Sequence, residues 1–198
     1  MHQELIEFSY LGSRDYVHSS DIVSAVLSRL PAGRVQNFDI RFSGKIDQTL
    51  RLVFDKSSET QDAKVSGLLL LDGELRRFRL YQIAEKVTQR IAYDENSLVA
   101  ASVVDVNAQA ITLERDVGHG VFRILTALQK ALLSSLYPRI KGKWVCTRIE
   151  LKDIPELAYP VSLKFSRNLN FQIVRSEIFV AGHSVGFISF TLIGAAQW

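Results

Sequence analysis

The sequence has few of the residues and segments on which several classes of protein depend. Its single cysteine, Cys146, can form no disulfide within the chain, and its four histidines do not cluster with cysteine as in a structural zinc site. No apolar run approaches the roughly 20 residues that a transmembrane helix needs, and the first residues lack the basic and apolar regions of a signal peptide. We therefore expect a cytoplasmic protein with no membrane partner, no metal and no other cofactor.

The motifs of several common enzyme classes are missing as well. The sequence contains no Gly-rich phosphate loop, no Gly-x-Ser-x-Gly elbow and no His-Glu-x-x-His helix. Nucleotide hydrolysis, serine hydrolysis and zinc proteolysis therefore have no support. The formal net charge of +3 favours acidic partners such as a carrier protein or a nucleotide-bearing thioester. It falls far short of the basic surface of a dedicated nucleic-acid-binding protein, so no nucleic-acid partner is expected.

What the sequence does contain is a short string that occurs twice. Arg14-Asp15-Tyr16-Val17-His18 returns as Arg115-Asp116-Val117-Gly118-His119, an offset of 101 residues. Each copy leads into an apolar segment that predicts a helix, over 19–30 and over 121–137. At the start of the first helix, Ser19 or Ser20 is expected to cap the free N–H groups. The repeat predicts two copies of one structural unit.

Four segments with strand-like patterns follow each predicted helix, and a tight turn joins the last two. The first turn is Asp72-Gly73, whose residues tolerate positive φ, and the second is Ala181-Gly182-His183. Between the copies, residues 93–97 are expected to form a polar turn and 98–106 a leading strand. The predicted strands are 35–46, 49–55, 64–71 and 74–82 in the first half, and 143–152, 160–167, 172–180 and 184–193 in the second.

A strand, a long apolar helix and three or four antiparallel strands wrapped around it is the element order of the hotdog fold. The chain resembles a double hotdog, an α+β protein in which two fused units, 1–92 and 93–198, replace the usual homodimer and join their sheets into one compact body. The resemblance implies action on acyl thioesters of coenzyme A or of an acyl carrier protein, as a dehydratase, hydratase or thioesterase. It also leaves room for a homodimer of such double units.

The string before the first helix is similar to the hydratase motif of the MaoC-like branch, in which an aromatic residue, a Gly-Asp, a His and a second acid follow one another. The residues that stand in that order here are Tyr10, Asp15, His18 and Asp21. The string departs from the motif where Arg14 replaces the glycine, and in the spacing of His18 from the two acids. Dehydratases of bacterial fatty-acid synthesis carry an acid well along the helix, and the matching place here is near Ala32 or Leu133.

Dehydration of a 3-hydroxyacyl thioester needs a base for the α-proton and an acid for the departing hydroxyl. A histidine paired with a carboxylate supplies both. His18 with Asp15 or Asp21 is therefore the first candidate, and N–H groups at the helix N-terminus would polarise the thioester carbonyl. In the structural alternative, Arg14 and Asp15 form a local ion pair and His18 only caps the helix.

The second copy offers His119 with Asp116, beside two glycines that allow either a close approach of substrate or a tight turn. The residues to which we assign substrate binding are Arg14, Arg115, Gly118 and Gly120. A thioesterase in which an acid of the first copy activates water is the enzymatic alternative to a dehydratase. The absence of an acid in the middle of either helix leaves a third hypothesis, a binding or scaffolding module without catalysis.

Overall fold

Antiparallel strands account for most of the fold in the computed structural model, which describes residues 3–55 and 62–194. The chain divides into two units, Met1–Asp94 and Glu95–Trp198. No helix of the described residues is long and apolar enough to cross a membrane.

The first unit is a five-stranded antiparallel sheet with one helix and a small separate ribbon. The strands of the sheet lie in the order β1-β4-β6-β5-β3, and β2 pairs with β7 in parallel. Its elements are β1 (Gln3–Ile6), β2 (Tyr10–Leu11), α1 (Ser19–Leu27), β3 (Val35–Phe42), β4 (Gln48–Asp55), β5 (Val65–Leu71), β6 (Glu74–Lys86) and β7 (Arg90–Ile91). Positive φ at Asp72 and Gly73 confirms the predicted hairpin turn between β5 and β6.

The second unit has six antiparallel strands and two helices. Its sheet has the order β10-β13-β12-β11-β9-β8. Its elements are α2 (Glu95–Ala100), β8 (Ser102–Asp105), β9 (Ala110–Leu113), α3 (Val121–Leu136), β10 (Lys143–Asp153), β11 (Val161–Leu169), β12 (Ile173–Val180) and β13 (His183–Ile193). The 16-residue helix α3 packs against strands β9, β10, β11 and β13 of its own sheet.

From the helix that follows each string, both units continue with four strands in the sequence, but these strands lie in different orders in the sheet. In the first unit the last hairpin places β6 beside β4, whereas in the second it places the other strand, β12, beside β11. Phe78 consequently pairs with Phe54, while Phe187, which follows the turn glycine Gly182 as Phe78 follows Gly73, pairs with Glu150. The internal duplication, the joined sheet and the single body stay predictions.

The two helices that follow the strings start where the sequence predicts, at Ser19 and at Val121. Local structure differs from the expectations between the two copies and at the N-cap of α1. The segment predicted as a turn and strand over 93–106 begins instead with helix α2, and β8 starts only at Ser102. Glu95 lies in the first turn of α2, where a carboxylate favours the helix, and Leu98 is fully buried. The N-cap of α1 is His18 rather than a serine, and its side chain makes no capping hydrogen bond.

Gly67 lies where β5 crosses the ring of Phe78. A Cβ at this position would run into the Phe78 ring and would lie 2.5 Å from the main-chain oxygen of Asp39. Since Phe78 is fully buried and stacks on Phe38 with a centroid distance of 6.0 Å, the ring has little room to withdraw.

We expect Gly67→Ala to lower the free energy of unfolding by about 1–3 kcal/mol, the usual effect of overpacking a core. Chemical denaturation would measure it. Ser66→Ala, one residue away on the same strand, should change stability by less than about 0.5 kcal/mol. Equal effects of the two substitutions would contradict this account of the core.

Gln129 is a polar side chain inside the apolar packing of α3. It is fully buried, and neither its amide nitrogen nor its amide oxygen has a hydrogen-bond partner. Thr126, one turn earlier, is also buried, but its hydroxyl donates to the main-chain oxygen of Phe122 at 2.9 Å. A buried polar group without a partner loses its hydration and gains nothing in return.

Gln129→Met should therefore raise the free energy of unfolding by about 1–3 kcal/mol, because it removes the unsatisfied amide and keeps an unbranched side chain. Thr126→Val, which removes a satisfied hydroxyl, should give no such gain. A loss of stability in Gln129→Met, measured by the same denaturation experiment, would show that the amide is satisfied in solution.

Candidate functional site

The loop that enters α1 is held by the chain that follows β6. The N–H of Tyr10 donates to the carbonyl of Gln89 at 2.9 Å. The guanidinium of Arg90 donates to the main-chain oxygens of Gly12 and Arg14, and lies over the ring of Tyr10 at 5.4 Å from its centroid. These contacts fix the direction from which the first Arg-Asp string reaches the helix.

His18 ends this loop and is buried, with 7% of its surface exposed. Its main-chain oxygen accepts from the N–H of Asp21 at 3.1 Å, which starts the helix. Its ring atom Nδ1 lies 2.6 Å from Oγ of Ser20, and that hydroxyl donates to Oδ1 of Asp21 at 3.2 Å. The structure thus connects His18 to a carboxylate through a serine, within the first turn of α1.

The other predicted acid, Asp15, faces a different partner. Its exposed carboxylate accepts from Nζ of Lys45 at 2.7 Å, and this hydrogen bond raises the pKa of Lys45 above its ordinary value. Arg14 places its guanidinium over the ring of Tyr93, 5.2 Å from the centroid, and the same ring lies 6.3 Å from that of His18. Of the two acids proposed for His18, Asp21 is the one joined to it through a described hydrogen-bond chain.

The second string is organised around Asp116 rather than around its histidine. The carboxylate of Asp116 accepts from the N–H of Gly118 at 2.8 Å and from the hydroxyl of Tyr159 at 3.2 Å. Those two bonds, and the nearby charge of His119, lower the pKa of Asp116. Burial and the bond to Asp116 raise the pKa of Tyr159.

The two glycines that flank His119 have different backbone conformations. Gly118 has a φ of +74°, which an L-residue rarely adopts, whereas Gly120, the N-cap of α3, has a φ of −67°. A Cβ would meet nothing within 4 Å at either position. Arg115, at the start of the string, is exposed. The positive φ of Gly118 and its bond to Asp116 belong to a turn, which is one of the two functions expected of these glycines.

The arrangement around His18 is suited to proton transfer. An imidazole in reach of a hydroxyl and a carboxylate is a general acid–base group, and the first turn of a helix favours developing negative charge. Among the described residues, no three His, Cys, Asp or Glu side chains lie together as metal ligands. Sequence patterns gave no sign of the contributions of Arg90, Tyr93 and Tyr159, which lie far along the chain from the strings. For Ser20, the sequence predicts only a role as a helix cap.

Solved structures of low sequence identity share the fold. The tesB protein of Mycobacterium avium subspecies paratuberculosis superposes with a TM-score of 0.52 at 11% identity, over 96% of this chain and 92% of its own. A protein of Thermobifida fusca YX described as a thioesterase II superposes with a TM-score of 0.51 at 11% identity, over 97% and 94% of the two chains. Both are hotdog proteins. The chain has the hotdog fold.

The hotdog assignment confirms the resemblance found in the sequence. The dehydratase domain from the CurF module of curacin polyketide synthase superposes less closely, with a TM-score of 0.49 at 9% identity, over 98% of this chain and 92% of that domain. No protein-family model and no curated protein matches the sequence. At these identities the comparisons establish the hotdog fold and leave the reaction to be argued from the residues.

Tyr159→Phe should raise the pKa of Asp116 toward its ordinary value of 3.8, and the Gly118 bond should keep it from reaching that value. Because the folded pKa is lowered, the ionised Asp116 stabilises the fold above its unfolded pKa, and this contribution is lost as the pH falls through the folded pKa. An NMR titration of the carboxyl carbon would measure the shift.

Tyr137→Phe is the matched control, because the Tyr137 hydroxyl accepts from Nδ2 of Asn168 and has no described contact with Asp116. An unchanged titration of Asp116 in Tyr159→Phe would remove the proposed role of the tyrosine.

Proposed function

We propose that the protein is a double hotdog that binds acyl thioesters of coenzyme A or of an acyl carrier protein and dehydrates 3-hydroxyacyl thioesters. The observation that carries the proposal is the buried His18, linked through Ser20 to Asp21 at the N-terminus of α1. The hotdog fold supports the acyl-thioester part of the proposal, since a solved protein described as a thioesterase II shares this fold. The cytoplasmic location and the pairing of two such chains stay predictions from the sequence.

The proposed reaction uses His18 first as a base and then as an acid. The imidazole takes a proton from the carbon next to the thioester carbonyl, and the electron pair of that C–H bond enters the carbonyl as an enolate. As the double bond forms between carbons 2 and 3, the C3–O bond breaks, and the imidazolium returns its proton to the departing hydroxyl. The products are the enoyl thioester and water, and His18 regains its starting form.

Two features of the first turn of α1 lower the free energy of the enolate and the imidazolium that form in this reaction. The N–H groups of Ser19 and Ser20 precede the first hydrogen bond of the helix, from Asp21 to His18, and they carry partial positive charge that favours an enolate oxygen. The carboxylate of Asp21 lies beyond Ser20 on the other side of the ring and favours the imidazolium. Arg14 and the net charge of +3 would attract the phosphates of coenzyme A or of a carrier arm.

The second string is the weaker site in this proposal. The Asp116 carboxylate already accepts from Gly118 and Tyr159, so it is committed to the turn before α3. Asp21 of the first string, by contrast, lies within the helix and is joined to His18 through Ser20. We assign the chemistry to the first string, and leave Arg115 and Gly120 as groups that line the approach to α3.

Thioester hydrolysis is the second candidate function, because one structural neighbour is described as a thioesterase II. The same His18 could then activate a water molecule instead of the substrate carbon. The non-catalytic alternative is a binding module, since the sequence of α3 contains no Asp or Glu and that of α1 contains only Asp21.

Purified protein incubated with 3-hydroxyacyl and saturated acyl thioesters, on coenzyme A and on an acyl carrier protein, should form enoyl product from the 3-hydroxy substrates. Loss of a general acid–base group usually costs about 10²- to 10⁴-fold, so His18→Gln should lower kcat by that order. His183→Gln, an exposed histidine at the start of β13, should leave kcat unchanged.

If the protein releases free thiol from the saturated substrates and His18→Gln abolishes this release, the reaction is thioester hydrolysis rather than dehydration. Binding of the thioesters without turnover would leave a binding module. No binding of either thioester would contradict the proposed ligand class altogether.

A further inference from the structure

Ser20 occupies an unusual position for a residue at the start of a helix. Its side chain is fully buried, and its one hydroxyl lies within hydrogen-bond distance of two groups, Nδ1 of His18 at 2.6 Å and Oδ1 of Asp21 at 3.2 Å. The first turn holds the backbone of Ser20 in place, since the hydroxyl of Ser24 donates to its carbonyl at 3.0 Å. The hydroxyl is therefore a fixed bridge rather than a solvent-facing rotor.

The proton count of this bridge determines which nitrogen of His18 carries hydrogen. An ionised carboxylate can only accept, so the contact with Asp21 requires the single proton of Ser20. The Ser20 oxygen then has only lone pairs to offer to His18, and the second contact is a hydrogen bond only if Nδ1 donates. The opposite arrangement, with Ser20 donating to Nδ1, would set the lone pairs of Ser20 and Asp21 against each other.

We propose that Ser20 is a positioning residue that couples Asp21 to His18 and holds the neutral imidazole in its Nδ1–H tautomer, with the lone pair on Nε2. This inference rests on the proposed function, because it is as a base that His18 needs a defined lone pair. When Nε2 takes the substrate proton, the donated bonds from Nδ1 to Ser20 and from Ser20 to Asp21 strengthen together, because each polarises the next. No proton is transferred from His18 to Ser20 or from Ser20 to Asp21.

The tautomer can be measured without any substrate. In the full chain labelled with ¹⁵N, two-bond correlations between ring nitrogens and ring protons distinguish the Nδ1–H from the Nε2–H form of each neutral histidine. With four histidines in the sequence, the signals of His18 are identified by their absence in His18→Gln. We expect the Nδ1–H pattern for His18 in the unmodified protein.

Two variants break the bridge at different points. Ser20→Ala removes the acceptor of the Nδ1 hydrogen. In Asp21→Asn the new amide can donate to the oxygen of Ser20, and the Ser20 hydroxyl is then able to donate its hydrogen bond to Nδ1. Both should move the neutral ring of His18 to the Nε2–H form. Ser28→Ala is the matched control, because the Ser28 hydroxyl donates to the main-chain oxygen of Ala25 at the other end of α1, and it should leave the Nδ1–H pattern intact.

An Nε2–H pattern in the unmodified protein, or a pattern that neither Ser20→Ala nor Asp21→Asn changes, would overturn the inference. If one variant fails to fold, as seen in its amide spectrum, the other decides. Where thioesters are turned over, Ser20→Ala should lower kcat and leave KM nearly unchanged, because it alters the base and not the binding groups. If no thioester is turned over, the proposed function fails while the tautomer still decides the role of Ser20.

Discussion

The hydrogen bond between Nδ1 of His18 and Oγ of Ser20 is the contact on which the candidate site depends. Both groups lie inside the protein, where a polar atom without a partner would cost a few kcal/mol, so each makes the burial of the other acceptable. The bond also directs Asp21 toward the ring through Ser20, while the Arg90 contacts bring the entering loop to the same place. The first turn of α1 therefore determines the burial of His18, the orientation of its ring and the position of the neighbouring carboxylate.

Helices α1 and α3 differ in how their buried polar side chains are hydrogen-bonded. In α1, Ser20 is fully satisfied and its neighbours are connected, whereas in α3 Gln129 is buried with both ends of its amide unsatisfied. In the second string, the carboxylate of Asp116 stabilises a turn, because it accepts from the N–H of Gly118 and the hydroxyl of Tyr159. The twin strings of the sequence therefore have different surroundings, and the proposal places the chemistry on the first.

Much of the hotdog fold could be predicted from local signals. The hairpin at Asp72-Gly73 and the start of α3 at Val121 follow from positive φ and from apolar periodicity, which neighbouring residues encode. Strand order could not be predicted, because the partners of β6 and β12 are determined by packing with residues that lie far away in the sequence. For the same reason, His18 and the two acids could be named as candidates, but the bridge through Ser20 and the bonds of Arg90 and Tyr159 depend on contacts that no spacing rule contains.

The central claim is that an acyl thioester reacts beside His18 at the N-terminus of α1. The most direct measurement is a crystal structure of the protein with a non-reactive analogue of a 3-hydroxyacyl thioester. The account predicts Nε2 of His18 within about 3–3.5 Å of carbon 2 of the acyl chain, with the 3-hydroxyl in hydrogen-bond reach of the same nitrogen. An acyl group bound beside His119, or bound with its carbon 2 out of reach of His18, would contradict it.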